Sequence, residues 1–190
     1  MGQASFPAGM IRALTIADLP CFRDHLLRLD EEGRRGRFGM GATDAFLRRY
    51  AETAFTLGAV IFGYFENGLL RAVGELRPVS EHEAEAAFNV EHDLRRRGIA
   101  TALFAHVLEA AKQRRMRRLY MSCLTYNEAM QALARKFSAD LVFERSDVLT
   151  IETCEADNEP RAGASGAAGD ARFATAILTL RKGWFGRRPR

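Results

Sequence analysis

The chain has 190 residues, 47% of them hydrophobic, and 28 lysines and arginines against 24 acidic residues give it a formal net charge of +4. That length allows one domain with a real core. The mild charge excess excludes a polybasic nucleic-acid binder and fits an acidic ligand, phosphate above all.

Cys21, Cys123 and Cys154 are odd in number and none sits at CxxC spacing. They form neither a disulfide framework nor a zinc site, and they fit a reducing cytoplasm. The four histidines, His25, His82, His92 and His106, are scattered without metal-ligand spacing. The N-terminal MGQASFPAGM has no basic-then-apolar leader pattern. No apolar run approaches the roughly 18 residues of a membrane span.

In chain order, MIRALTIADLPCFRDHLLRL reads as a short strand, a turn and a helix, with Asp18 as N-cap and Phe22, Leu26 and Leu29 at helical spacing. DEEGRRGRFGMGATD reads as a polar, glycine-rich loop. A helix follows over TDAFLRRYAETAF, with Asp44 near its start. Two β-rich runs then flank Asn67-Gly68, the preferred pair for a primed hairpin turn. On the second arm Leu70, Ala72, Gly74 and Leu76 share one face, and Arg71, Val73, Glu75 and Arg77 share the other. The next strand alternates Ala84, Ala86, Phe88 and Val90 with Glu85, Ala87, Asn89 and Glu91. RRRGIAT leads into a helix whose buried stripe is Ile99, Leu103, Val107 and Ala110. LYMSCLT is a short, buried strand. Asn127 caps a helix carrying Met130, Leu133 and Phe137, and DLVFERSDVLTIE makes two short strands. After Glu155 the composition turns small, polar and glycine-rich. The chain thus divides into a domain over 10–155, a linker over 156–171, and a basic amphipathic tail over 172–190 that carries Phe173, Ile177, Leu180 and Trp184.

The crowded arginines of VEHDLRRRGIATALF stand between a strand and a helix. A helix N-terminus carries unpaired N–H groups and a partial positive charge. Gly98 leaves those amides open and Ala100 is small, so the turn is a nest for an anion, most often a phosphate. No GxxxxGK[ST] is present, and GRFGMG has the wrong spacing for GxGxxG.

VEHDLRRRGIA resembles motif A of the GNAT (Gcn5-related) N-acetyltransferase superfamily, a valine and then Arg/Gln-x-x-Gly-x-Gly/Ala. Arg95, Gly98 and Ala100 fill the pattern, with Val90 five residues before Arg95. The element order over residues 10–153 resembles that family too. HLLRLDEEGRRGRFG and the Asn-x-x-Met helix of LTYNEAMQALARKF are distantly similar to the bacterial protein-lysine acetyltransferases of the superfamily. The resemblance implies an α/β (α+β) fold: a mixed, mostly antiparallel twisted sheet flanked by about four helices. It implies acetyl-CoA as co-substrate and no metal. The amides of Arg97, Gly98, Ile99, Ala100 and Thr101 hold the pyrophosphate. Val90 pairs with the pantetheine arm and directs its N–H at the thioester oxygen, and Asn127 meets the arm from the other side. Arg95, Arg96 and the run Lys112, Arg114 and Arg115 offset the remaining phosphate charge.

Acyl transfer to an amine needs a proton acceptor and donors for the developing oxyanion. Glu85, on the strand entering the motif, is the first candidate for the base, as a glutamate there is in several members of the family. Strand parity sets it opposite Val90, so it needs a bulge or a water chain. Glu75 is the second candidate, on a face shared with Arg71 and Arg77. The tyrosine that many members carry about seven residues after the asparagine is replaced by Ala134, and their Gly-Phe after this helix is missing. The expected partners are an acyl-CoA and an amine, either a small molecule or a protein lysine, with no nucleic acid and no membrane. A domain of the same fold that binds acyl-CoA as a sensor, without turnover, is the competing reading, and Ala134 favours it. A third reading makes the basic, aromatic tail a docking segment.

Overall fold

At the hairpin tip Asn67 (φ 52°) and Gly68 (φ 77°) are both left-handed, the geometry that matches a hairpin's twist. In this computed structural model, which describes residues 9–39, 41–55, 58–124, 126–137, 140–144 and 173–179 (the last two by backbone alone), the turn joins β2 (Val60–Glu66) to β3 (Leu69–Pro78). β1 (Met10–Ala13) lies antiparallel on the outer side of β2, and β4 (Glu83–Val90) lies antiparallel on the other side of β3. β5 (Arg118–Leu124) runs parallel to β4. The sheet has seven strands in the order β1-β2-β3-β4-β5-β7-β6, where β6 is Asp140–Glu144 and β7 is Phe173–Thr179.

Five α-helices cover the sheet: α1 (Leu19–Arg28), α2 (Glu31–Phe38), α3 (Asp44–Ala54), α4 (Ile99–Gln113) and α5 (Glu128–Lys136). On one face Ala72, Leu76, Ala86 and Phe88 meet Leu103 and Val107 of α4 and Leu133 of α5. On the other, Ile61 and Val73 meet Phe22 and Leu26 of α1 and Leu47 and Ala51 of α3. The fold is the mixed, mostly antiparallel α/β architecture expected. No helix among the described residues is long and apolar enough to cross a membrane.

Four expectations change. The segment read as a glycine-rich loop contains α2. Asp30 caps that helix by accepting from Gly33 N (2.7 Å), Glu31 pairs with Arg35 across one turn (2.7 Å), and Gly39 (φ 71°) ends it. These local terms outweigh two glycines of poor helix propensity. Asp18 does not cap α1 with its side chain, which binds Arg12 and the backbone of Thr15. Leu70 does not share the face of Ala72. Tyr64 pairs with Ala72 and Phe65 with Leu70, so Arg71 is an extra residue that flips Leu70 to the α1–α3 side.

The last change concerns the C-terminal tail, which begins as a strand of the sheet. β7 lies between β5 and β6, antiparallel to both, with Leu124 opposite Phe173 and Glu144 opposite Phe173 on the far side. FATAILT is rich in β-formers, and it completes the edge of an apolar strand that would otherwise stay unpaired. A domain boundary at 155 therefore cuts off a strand that the sheet needs. The linker over 156–171, the second strand expected within LTIE, and residues 180–190 with Trp184 lie outside the described residues.

Gly74 is required by packing. A Cβ there would meet Phe88 at 2.9 and 3.1 Å and Val107 at 3.2 Å, and the Phe88 ring is held against Phe104, with centroids 5.3 Å apart. Gly74→Ala is expected to destabilise the fold by about 1–3 kcal/mol, measured as a lowered denaturation midpoint at unchanged slope.

Candidate functional site

β4 is fully paired with β3, but its ladder with β5 has three rungs only, Glu83–Arg118, Ala84–Leu119 and Glu85–Tyr120. Beyond them Ala86–Val90 and Met121–Leu124 do not pair with each other. The carbonyl of Glu83 accepts from Val79 N (2.8 Å) and the N–H of Glu91 donates to Arg71 O (3.1 Å), so odd-numbered residues of β4 turn their backbone toward β3. By alternation, Ala86, Phe88 and Val90 direct N–H and C=O into the gap. The Val90 carbonyl accepts from Arg95 Nε at 3.3 Å. Such an edge offers a ladder to an extended partner.

At the far end of β4 the chain turns through Arg96 (φ 62°) and Gly98 (φ 79°) into α4. α2, α3 and α5 each begin with a side-chain cap and an acidic first turn, whereas α4 has neither. Its first amides and its dipole are left for an anion. A Cβ on Gly98 would meet nothing within 4 Å, so backbone conformation and open space, not packing, ask for glycine here. Arg96 and Arg97 are exposed beside these amides, and Arg97 comes no nearer than 3.9 Å to Glu66. Arg95 is engaged elsewhere, with Asp30 at 2.8 Å and Glu32 at 2.6 Å, and ties the start of α2 to the turn. Lys112, Arg114 and Arg115 lie at the opposite end of a 15-residue helix, about 22 Å away at 1.5 Å per residue. That distance removes them from the charge balance of the anion site.

A cavity of about 220 Å³ sits where β4 and β5 part, bounded by Glu85, Ala87 and Phe88, by Ser122 and Cys123, by residues 36–39 of α2 and by Met130. Burial raises the Cys123 thiol above its ordinary value. The Glu85 side chain reaches the cavity from the α2 face, while the amides of β4 lie in the plane of the sheet. Opposite parity with Val90 therefore needs neither bulge nor water chain. Separation is the greater obstacle, since five residues of strand put Glu85 about 16 Å from Val90. The inward N–H that borders the same cavity is that of Phe88. Sequence reasoning missed it, though its even parity with Val90 was the available signal.

Glu75 is fully buried and does not line the cavity. Arg37 Nη2 donates to Oε1 (2.8 Å). Tyr50 Oη (2.8 Å) and Arg77 Nη2 (2.8 Å) donate to Oε2. Burial pushes this carboxyl up, but the charges of Arg37 and Arg77 prevail and hold it below the ordinary carboxylate range. A carboxylate so held is a poor proton acceptor. The second base candidate is thus the buried anchor of Arg37 and Arg77. Arg71, expected beside it, binds Glu91 (2.5 Å) and Asp93 (2.6 Å) instead.

Asn127 caps α5, its Oδ1 accepting from Met130 N (3.2 Å), and its Nδ2 faces Gly36 of α2. Ala134 is fully buried in the core. Behind Val90, His25 of α1 is fully buried and reaches both flanking side chains, Glu91 at 3.0 Å and Asn89. Asp30, Glu32 and His92 also gather at the surface, with Arg95 bound among them.

A family model described as Acetyltransferase (GNAT) family matches residues 23–138. No curated protein matches the sequence. Among solved structures, the GNAT domain of PAT from S. lividans superposes with a TM-score of 0.65 at 18% identity, covering 90% of each chain. The ribosomal-protein-S18-alanine N-acetyltransferase of Escherichia coli gives 0.65 at 16% identity, over 95% of this chain and 99% of that one. YncA of Salmonella typhimurium, solved with acetyl-CoA, gives 0.68 at 11% identity, over 94% and 98%.

Glu75→Gln would leave Arg37 and Arg77 without their shared counter-ion, at a cost of about 3–5 kcal/mol, read by chemical denaturation. The depressed carboxyls of Glu75, Glu91 and Asp18 also fix the sign of the acid response. Their contribution is complete above the unfolded carboxyl range near pH 4 and is lost as pH falls through the folded values. A melting temperature that is level from about pH 5.5 to 7 and falls below about pH 4 is the expected profile. A profile rising into acid would contradict it.

Proposed function

The chain belongs to the GNAT acetyltransferase family, and from that premise we propose that it transfers an acetyl group from acetyl-CoA to a primary amine. Continuity along one strand carries this reading. β4 runs from the cavity at Glu85, past the inward amides of Phe88 and Val90, to the uncapped start of α4.

In this reading the amides of Arg97, Gly98, Ile99, Ala100 and Thr101 bind the pyrophosphate, with Arg96 and Arg97 offsetting its charge. Val90 N–H pairs with the pantetheine arm, and Asn127 Nδ2 borders it from the α5 side. Phe88 N–H stabilises the charge that develops on the thioester oxygen. Glu85 takes the proton of the attacking amine, whose pKa near 10.4 leaves it protonated at neutral pH. The new C–N bond forms as the C–S bond breaks, the second amine proton passes to solvent, and the sulfur leaves as thiolate to be protonated by solvent. The position where the family's tyrosine stands is Ala134, sealed in the core, and Tyr126 is exposed. A thiol pKa near 8.5 makes the thiolate a tolerable leaving group without a dedicated acid. The steps call for no metal. A reducing cytoplasm is the compartment proposed, in line with the free thiols of Cys21 and Cys123.

Glu85→Gln is expected to lower kcat/KM about 10²- to 10⁴-fold while acetyl-CoA binding, measured by calorimetry, stays unchanged. Unaltered turnover would remove Glu85 as the base. Gly98→Trp is expected to weaken coenzyme A binding without moving the fold's far-ultraviolet spectrum. Undiminished affinity in that variant would overturn the donor site, and binding without turnover on any amine would favour the sensor reading.

A further inference from the structure

On the premise that this is an acyl-transfer site, we infer that its acceptor is a free amino acid, a small molecule that carries the reactive amine and a carboxylate together.

The cavity presents two charged side chains of opposite sign, Glu85 and Arg37. Arg37 is nine-tenths buried, at 10% exposure, and its hydrogen bonds all leave from Nη2, to Glu75 and Tyr50. Its Nε is buried and has no partner. That atom has no exposed surface, so what borders the cavity is the rest of the Arg37 side chain, and a guanidinium is the group that carboxylates bind in a fixed geometry.

The charge balance points the same way. Arg37 and Arg77 share one carboxylate, Glu75, so that cluster carries an excess of one positive charge. Glu85, cross-strand from Arg77, borders the same cavity and adds to the field that keeps Arg37 protonated. An ammonium acceptor entering beside Glu85 engages that carboxylate and uncovers the guanidinium excess. A simple amine therefore brings an uncompensated positive charge into a confined site, which is expensive. An amino acid brings its own counter-charge and leaves the site neutral. The Arg37 edge binds the carboxylate, and Glu85 takes the amine proton as the C–N bond forms.

Size agrees with this. A cavity of about 220 Å³ has room for a small molecule. A polypeptide N-terminus presents a neutral amide where the amino acid presents its carboxylate, and it gives Arg37 no counter-charge.

The test uses the full chain with saturating acetyl-CoA, following coenzyme A release and confirming the product by mass. The acceptors are the common free amino acids and, for the best of them, its methyl ester, its decarboxylated amine and a short peptide beginning with the same residue. The free amino acid is expected to exceed all three analogues in kcat/KM by about 10- to 100-fold, the worth of a charge-assisted hydrogen bond. Arg37→Lys keeps the charge but loses the fork and is expected to bring that ratio within a few-fold of one. Should that variant not fold, the wild-type ratio decides alone. An ester, amine or peptide that matches or beats the free amino acid overturns the inference while leaving acetyl transfer standing. Binding of acetyl-CoA with transfer to no amine overturns the acetyltransferase reading itself.

Discussion

Every part of the site depends on one interruption in a hydrogen-bond ladder. β4 and β5 start as a parallel pair and separate after Glu85 and Tyr120. Backbone N–H and C=O groups are obligatory hydrogen-bonding groups, so a fold that parts two interior strands must have something to put between them. The side chains indicate how the parting is held. Ala84 is small where the strands are joined, and Phe88 is large where they are not. Its ring stacks on Phe104 of α4, which stacks in turn on Phe137 beyond α5, with centroids 5.3 and 4.2 Å apart. This aromatic column packs against the α4–α5 face of the sheet beside the opening.

The opposite face is held by charge. Two buried polar groups of residues brace β4 and its neighbour from the α1–α3 side. Glu75 with Arg37, Arg77 and Tyr50 sits beside the cavity, and His25 with Asn89 and Glu91 sits behind Val90. Pairing a buried ion is weak evidence for stability, since desolvation opposes the Coulomb gain. Directional hydrogen bonds do fix geometry, and here they tie α2 to β3 and α1 to the end of β4.

Much of this was legible in the sequence, and the failures share a cause. The hairpin at Asn67-Gly68, the motif turn at Gly98 and the cap at Asn127 are local, since each needs only a few residues in one conformation. α2 escaped because its glycines speak against a helix, while the Asp30 cap and the Arg95 clamp that hold it lie outside a propensity count. β7 escaped because its partner β5 lies some fifty residues earlier, behind a segment of linker composition. Leu70 was misplaced by one extra residue at Arg71. Glu75 was misjudged because two of its partners, Arg37 and Tyr50, come from helices, and strand parity cannot see across the layer.

The same division separates what a family resemblance carries from what it does not. The donor side of the site is made of backbone: amides at the start of α4, amides along β4, and a glycine that leaves them open. Backbone geometry survives substitution of nearly every side chain, so relatives at 11–18% identity retain the architecture. The proposed acceptor side is made of side chains, with Arg37 supplied by α2 and Glu85 by β4. A single replacement there changes its charge and hence the molecule it admits. The architecture can therefore point to a donor, while the acceptor must be read from the charges this chain itself places around the cavity, and in the proposed reading those charges are balanced for a zwitterion.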